Sequence, residues 1–251
     1  MKIIVMGTGG VGGYFGARLN NAGHDVAFIA RGEHLKAIKA NGLKILSELG
    51  DMIIHPAKAS ENPSDFGIAD IVLFCVKSYD TESASNLIKP VVGPETAVIP
   101  FLNGIGHIEI MQKILGINNI VGGVAAISAL IEEPGVIRHN SAMQMLKFGE
   151  FNNEITPRIK AFKNACEESG INNLVPENIE TDLWQKIIMI CTLAGANCLT
   201  RLPLGVCRSN PATRNLMKNL AEEAVAVAKA ENVILPDNQV EITMKQLDSL
   251  P

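Results

Sequence analysis

The chain lacks a paired-cysteine pattern, a basic block, a metal-binding histidine motif and a long apolar run, and each absence removes a class of function. Its five cysteines (Cys75, Cys166, Cys191, Cys198, Cys207) are odd in number and contain no C-x-x-C pair, which argues against a disulfide framework and a zinc site. Most have apolar sequence neighbours, as reduced core thiols do. The five histidines show no H-E-x-x-H or other close ligand spacing, so no metal is expected and acid chemistry must come from a side chain. The 22 basic and 26 acidic residues are dispersed, with a net charge of −4, and leave no electrostatic footprint for nucleic acid or an anionic membrane. Apolar runs such as residues 71–76 and 187–193 are far shorter than the roughly 20 residues a membrane crossing needs. The N-terminus opens on the strand-like Lys2-Ile3-Ile4-Val5-Met6 and lacks the features of a secretory signal, so the expected address is the cytoplasm.

What is present is core material, 47% hydrophobic residues over a length that holds one large domain or a medium one plus a small one. Up to about residue 177, β-branched runs at 2–6, 25–30, 70–77, 97–102, 119–125 and 143–148 alternate with helical stretches. That alternation predicts an α/β domain with a mostly parallel sheet covered on both faces. The uninterrupted apolar character of Ile71-Val72-Leu73-Phe74-Cys75-Val76 agrees with double coverage. A helix from Pro157 should stop at Gly170, followed by a short strand at 173–176. Beyond lies only helical pattern: 181–200, then 211–232 with Asn210 as cap of a Pro-initiated helix, then 237–250. The expected division is residues 1–177, an α/β domain, and 178–251, a smaller all-helical domain. The alanine-rich stretch 221–230 suits either a tight helical core or a subunit contact.

Gly7-Thr8-Gly9-Gly10-Val11-Gly12 matches G-x-G-x-x-G, directly after a strand and directly before a helical pattern. In such a loop Gly7 permits the tight turn, Gly9 lets a pyrophosphate approach the backbone, and Gly12 lets the helix pack on the strand. The strand that follows ends at Arg31, where an enzyme for NAD would carry a carboxylate. A guanidinium there can pair with a 2′-phosphate, which favours NADP(H), although a solvated loop arginine fits the same position and Glu33 lies close by. Lys77 and Ser78 end the next strand at the ligand-binding edge of such a sheet, where a solvent-facing lysine is an equal reading.

Reducing a ketone with a nicotinamide requires a proton or a strong hydrogen bond at the oxygen. Lys186, in Trp184-Gln185-Lys186-Ile187-Ile188, opens a largely apolar helix where desolvation would lower its pKa and make it a competent acid. Asp182 lies one turn before it and Asn197 about three turns after, on the same face. The alternative is an exposed Asp182–Lys186 ion pair. Asn103-Gly104 after the strand at 97–102 places an amide at the sheet edge, or marks a simple turn.

Taken together, Gly7 to Gly12, Arg31-Gly32 with His34-Leu35, Val76-Lys77 with Tyr79-Asp80, and Asn103-Gly104 resemble the ketopantoate reductase (2-dehydropantoate 2-reductase) family. The resemblance continues through Gly122-Gly123, Pro134-Gly135, Trp184-Gln185-Lys186 and Leu199-Thr200, nearly the whole chain. It implies a Rossmann domain followed by a helical domain, with substrate and nicotinamide meeting in a cleft. It implies Lys186 as general acid, Asn103 as a group positioning nicotinamide and substrate, Lys77 lining the cleft, and Arg31 on the 2′-phosphate of NADPH. The implied reaction is reduction of 2-dehydropantoate to pantoate, a step toward pantothenate and coenzyme A.

Two departures stand out. Where well-studied members carry substrate-binding asparagines one and two turns past the lysine, this chain has Ile190 and Ala194, for which Asn197 could compensate. The helical domain is also expected to be shortened at its C-terminus, without the family's later serine and glutamate, which would expose apolar surface and favour a homodimer. Three readings stay open: a reductase of 2-dehydropantoate or a close 2-keto acid, an NADP(H)-binding regulatory protein without turnover, and a dehydrogenase oxidising another hydroxy acid.

Overall fold

The computed structural model describes residues 1–250 and divides into two compact units. One comprises Met1–Leu102 and Gly106–Ile179; the other joins the short segment Asn103–Ile105 to the chain from Glu180 onward. The strands are β1 (Lys2–Met6), β2 (Asp25–Ile29), β3 (Leu43–Ser47), β4 (Met52–Ile54), β5 (Lys58–Ser60), β6 (Ala69–Phe74), β7 (Val92–Pro100), β8 (Gly122–Glu133), β9 (Val136–Gly149) and β10 (Asn172–Leu174). The helices are α1 (Gly10–Asn21), α2 (Gly32–Asn41), α3 (Thr81–Ile88), α4 (Gly106–Leu115), α5 (Pro157–Glu168), α6 (Ile179–Thr200), α7 (Leu204–Ser209), α8 (Pro211–Ala230) and α9 (Gln239–Ser249).

In the first unit a parallel sheet runs in the order β5-β2-β1-β6-β7. Side chains alternate between the faces of a strand, and here both sets are apolar. Ile3, Val5, Phe28, Ile71 and Leu73 enter one core, while Ile4, Met6, Ile29, Val72 and Phe74 enter a second with Ala84, Ile88 and Met111 from α3 and α4. This parallel sheet and the helical tail are as expected from the sequence.

The last three strands foreseen, at 119–125, 143–148 and 173–176, instead belong to another sheet. β8 and β9 are longer than expected and form an antiparallel hairpin, which joins β3, β4 and β10 in a mixed sheet of order β10-β9-β3-β4. The two sheets touch at Val98 and Ile120, where Val121 N–H donates to the Val98 carbonyl at 3.0 Å. Leu43, Ile45, Ile137, Leu146 and Phe148 share the core that holds Ile3 and Val5, so α1 lies between two layers of strand. That position explains its burial on nearly every side, from Gly12 through Leu19. A Cβ on Gly13 would stand 2.8 Å from Ile137, and one on Gly16 would stand 2.7 Å from both Phe28 and Val5.

A buried ion pair closes the rim of this unit. Glu150 accepts from Arg158 Nε at 2.7 Å and from Nη2 at 2.8 Å, and Thr156 Oγ1, at the start of α5, donates to the same carboxylate. The remaining Arg158 donors reach the carbonyls of Asn118 and Thr96.

The helical unit is built on small residues at close contacts. Ala196 packs with Leu204, Cys207, Met217 and Leu247; Ala221 with Ile188 and Val225; Ala228 with Trp184 and Val233. Of the alanine-rich stretch, Ala221 and Ala228 are therefore core residues, while Ala226 and Ala230 are exposed. Asn210 caps α8 by accepting from the amides of Ala212 and Thr213. The short α7 had no clear sequence signal. Two of the cysteines expected in apolar surroundings, Cys191 and Cys198, are exposed on α6, whereas Cys166 and Cys207 are buried. By length and composition alone α6 could cross a membrane. Leu183, Trp184, Ile188, Thr192 and Ala196 form a buried stripe along it.

Truncating Arg158 strands a carboxylate that is only 8% exposed. Arg158→Ala should therefore lower stability by about 3 to 5 kcal/mol, read as a fall in the urea midpoint. A change within about 0.5 kcal/mol, as for an ordinary surface substitution, would show that the pair is not structural.

Candidate active site

β1 delivers the chain into the glycine loop, and the loop is held by backbone bonds before any ligand is considered. The amides of Gly7 and Thr8 and the hydroxyl of Thr8 all donate to the Ile29 carbonyl at the end of β2, at 3.3, 3.1 and 3.0 Å. Gly7 has φ +95°, and a Cβ there would meet the Cys75 carbonyl at 2.9 Å, so the turn excludes any side chain. Gly12 packs so closely on the loop that a Cβ would lie 2.3 Å from the Gly7 carbonyl oxygen. Gly9 differs, because a Cβ there meets nothing within 4 Å. It is the N-cap of α1, with no side-chain cap and no acidic residue in the first turn. The N-terminus of α1, the positive end of the helix dipole, is thus open at Gly9, an arrangement that suits a phosphate. Gly10, given no separate role in the sequence reading, lies against the second sheet, where a Cβ would fall 2.2 Å from the Ala129 carbonyl oxygen. Val11, the remaining loop residue, packs half-buried against the first core.

The loop opens onto a cavity of about 870 Å³ at the C-terminal ends of β1, β2 and β6. Such a volume lies in the range of small-molecule and cofactor sites. The cavity brings together the predicted residues Gly7, Thr8, Gly9, Arg31 and Lys77. Arg31 follows β2 as the N-cap of α2, with its side chain 80% exposed. It is not alone, because Nη2 lies 3.1 Å from Asp80 Oδ2. Lys77 is exposed beyond the end of β6, at the start of the turn Ser78–Asp80. The lining residues without a predicted role include His34, Glu61, Tyr79 and Asp80. His34, Tyr79 and Asp80 fell inside recognisable motifs, but nothing in the sequence said what they touch. The open face at Gly9, the uncapped helix and the cavity fit the phosphates of a dinucleotide.

The other predicted residues belong to the helical unit. Lys186 is half-buried on α6, and burial pushes its ammonium down to about 8. An exposed surface lysine is thereby ruled out. Asn103 is exposed, and its segment is joined to the helical unit through Ile105, which packs with Trp184 and Ala228. Asp182 is half-buried one turn before Lys186. Asn197 carries a buried Oδ1 with no hydrogen-bond partner. Gln185 donates to Gln239, which in turn donates to Thr243, and this buried amide chain ties α6 to α9.

Comparison with known proteins shows one family. The model described as ketopantoate reductase PanE/ApbA matches residues 3–153, and that of its C-terminal region matches 178–251. The chain is 34% identical to an uncharacterized oxidoreductase, YkpB, of Bacillus subtilis, over 93% of this chain and 76% of that one. It is 28% identical to the 2-dehydropantoate 2-reductase of Mesorhizobium japonicum, over 94% of this chain and 78% of that one. Among solved structures, the 2-dehydropantoate 2-reductase of Porphyromonas gingivalis superposes with a TM-score of 0.94 at 30% identity, covering 100% of this chain and 89% of that one.

The glycine geometry separates two substitutions. Gly9 has φ −85° and ψ −159°, an extended backbone open to alanine, so Gly9→Ala should keep the wild-type melting temperature yet weaken nicotinamide dinucleotide binding about tenfold or more. Gly12→Ala should lower the melting temperature itself. Equal melting temperatures for the two variants would contradict the packing described here.

Proposed function

Because the chain belongs to the ketopantoate reductase PanE/ApbA family and is an NAD(P)-dependent oxidoreductase acting on a CH–OH group, we propose that it reduces 2-dehydropantoate to pantoate with NADPH. The reaction serves pantothenate and coenzyme A synthesis in the cytoplasm. The observation that carries the chemical part is Lys186, a half-buried lysine depressed to about 8 on an apolar helix. When bound, the reduced nicotinamide supplies a hydride to the keto carbon. The protein must supply the proton, and Lys186 is the general acid that delivers it to the keto oxygen. An ammonium near 8 is still mostly protonated at neutral pH, yet gives up its proton far more readily than an ordinary lysine. Its charge also attracts the substrate carboxylate. Asn103, in the same unit, orients nicotinamide and substrate by its amide. The Gly7 to Gly12 loop holds the pyrophosphate, Arg31 pairs with the 2′-phosphate, and Lys77 lines the site.

The apolar Ile190 and Ala194 also fit a close 2-keto acid, with Asn197 and its unpartnered Oδ1 as the substrate amide contact. A homodimer formed through the helical unit belongs to the same reading and is supported by the exposed Leu199, Val206 and Val227.

Oxidation of NADPH, followed by its absorbance with 2-dehydropantoate and a panel of 2-keto acids, tests the reaction. Turnover supports it, and tight NADPH binding with no turnover on any acid would overturn it. Lys186→Ala should lower kcat about 10²- to 10⁴-fold with NADPH affinity unchanged. Because the acid must carry its proton, wild-type kcat/KM should fall about tenfold per pH unit above about 8. A flat profile through that range would exclude Lys186 as the acid.

The cofactor preference has its own test. Arg31→Gln should raise the Kd for NADPH about tenfold or more while leaving that for NADH within about twofold. Equal losses would sink the 2′-phosphate assignment.

A further inference from the structure

His34 and the Pro134-Gly135 turn belong to the motifs of the family resemblance, yet neither has a part in the chemistry described above. They meet in the structure. His34 lies near the start of α2, half-buried, and its ring makes two hydrogen bonds to backbone far away in sequence. Gly135 N–H donates to Nδ1 at 3.0 Å, and Nε2 lies 2.8 Å from the Thr8 carbonyl oxygen. A backbone amide can only donate, so Nδ1 bears no proton; a carbonyl can only accept, so Nε2 does. The ring is therefore neutral and bridges the two main-chain groups in one orientation. Burial agrees, holding its pKa below the usual histidine value.

We propose that His34 is a positioning residue, which aims the Thr8–Gly9 peptide at the pyrophosphate of the cofactor with the Gly135 amide as its anchor. The inference rests on the cofactor reading given above. In a trans peptide the carbonyl and the following amide point in opposite directions. Holding the Thr8 carbonyl on the ring thus turns the Gly9 N–H away from His34, at the one loop glycine whose surroundings are open. The anchor is itself fixed. Gly135 has φ +83°, a Cβ on it would meet Ala37 at 3.1 Å, and its carbonyl accepts from Lys44 N–H at 2.9 Å. The hairpin of the second sheet therefore sets the direction of an amide in the glycine loop. Lysine and arginine could only donate and an ionised carboxylate could only accept, so the bridge requires a side chain that does both.

Titration calorimetry with two probes, NADPH and adenosine 2′-monophosphate, tests the assignment, because the second lacks a pyrophosphate. His34→Ala should raise the Kd for NADPH about tenfold and leave that for adenosine 2′-monophosphate within about twofold. Parallel losses for both probes would make His34 a general support of the fold, and an unchanged NADPH affinity would remove it altogether; either overturns the proposal. Should His34→Ala fail to fold, His34→Asn keeps an acceptor for the Gly135 amide but is too short to reach Thr8. It is subject to the same comparison, with selective loss of NADPH supporting the proposal and parallel or absent loss overturning it. Wild-type protein that binds no NADPH overturns both this inference and the cofactor reading, whereas wild-type binding with unaltered variants overturns this inference alone.

Discussion

The backbone contact of α1 with strand on two sides is the constraint on which the rest of the structure depends. At Gly12 and Gly10 there is no room for even a methyl group, against the carbonyl of Gly7 on one side and that of Ala129 on the other. Glycine inside a helix costs about 1 kcal/mol relative to alanine, and α1 carries Gly12, Gly13 and Gly16. The burial of Phe15 and Leu19 in the same helix offsets that cost, at about 1.5 to 3 kcal/mol for each large apolar side chain. Close approach is what fixes the loop, and a fixed loop is what a pyrophosphate needs, since an amide that must be reoriented on binding loses affinity to that reorganisation.

The second sheet gives the loop a brace on the side away from β1. Its hairpin supplies the Ala129 carbonyl at Gly10, Ile137 at Gly13 and the Gly135 amide at His34. The glycine loop belongs to the first unit, and Lys186 and Asn103 belong to the second. A lysine kept half-buried is disfavoured in its charged form, and a titratable group perturbed in this way is more common in functional sites than on ordinary surfaces.

Much of this was legible in the amino-acid pattern. The strand before Gly7, the apolar run at Ile71 and the cap at Asn210 each carry a local signal and each element forms there, although β6 ends at Phe74 and not at 77 as expected. The second sheet was not legible. β3 and β4 are short, and the pairing of β3 with β9 joins Leu46 to Arg138, a long-range match that no local periodicity records. The candidate site divides in the same way. Gly7, Gly9 and Arg31 announce themselves by motif and by strand position. Asp80, which pairs with Arg31, and His34, which bridges Thr8 to Gly135, depend on contacts 49 and 101 residues apart. Lys186 could be singled out by its apolar helix, but only packing shows that it is half-buried.

A crystal structure with NADPH bound tests the central claim most directly. The account predicts the pyrophosphate at the N-terminus of α1, with its oxygens accepting from the amides that follow Thr8 and the Thr8–His34–Gly135 bonds unchanged. A pyrophosphate bound elsewhere, or a glycine loop rebuilt around it, would contradict a site made rigid by the packing of α1.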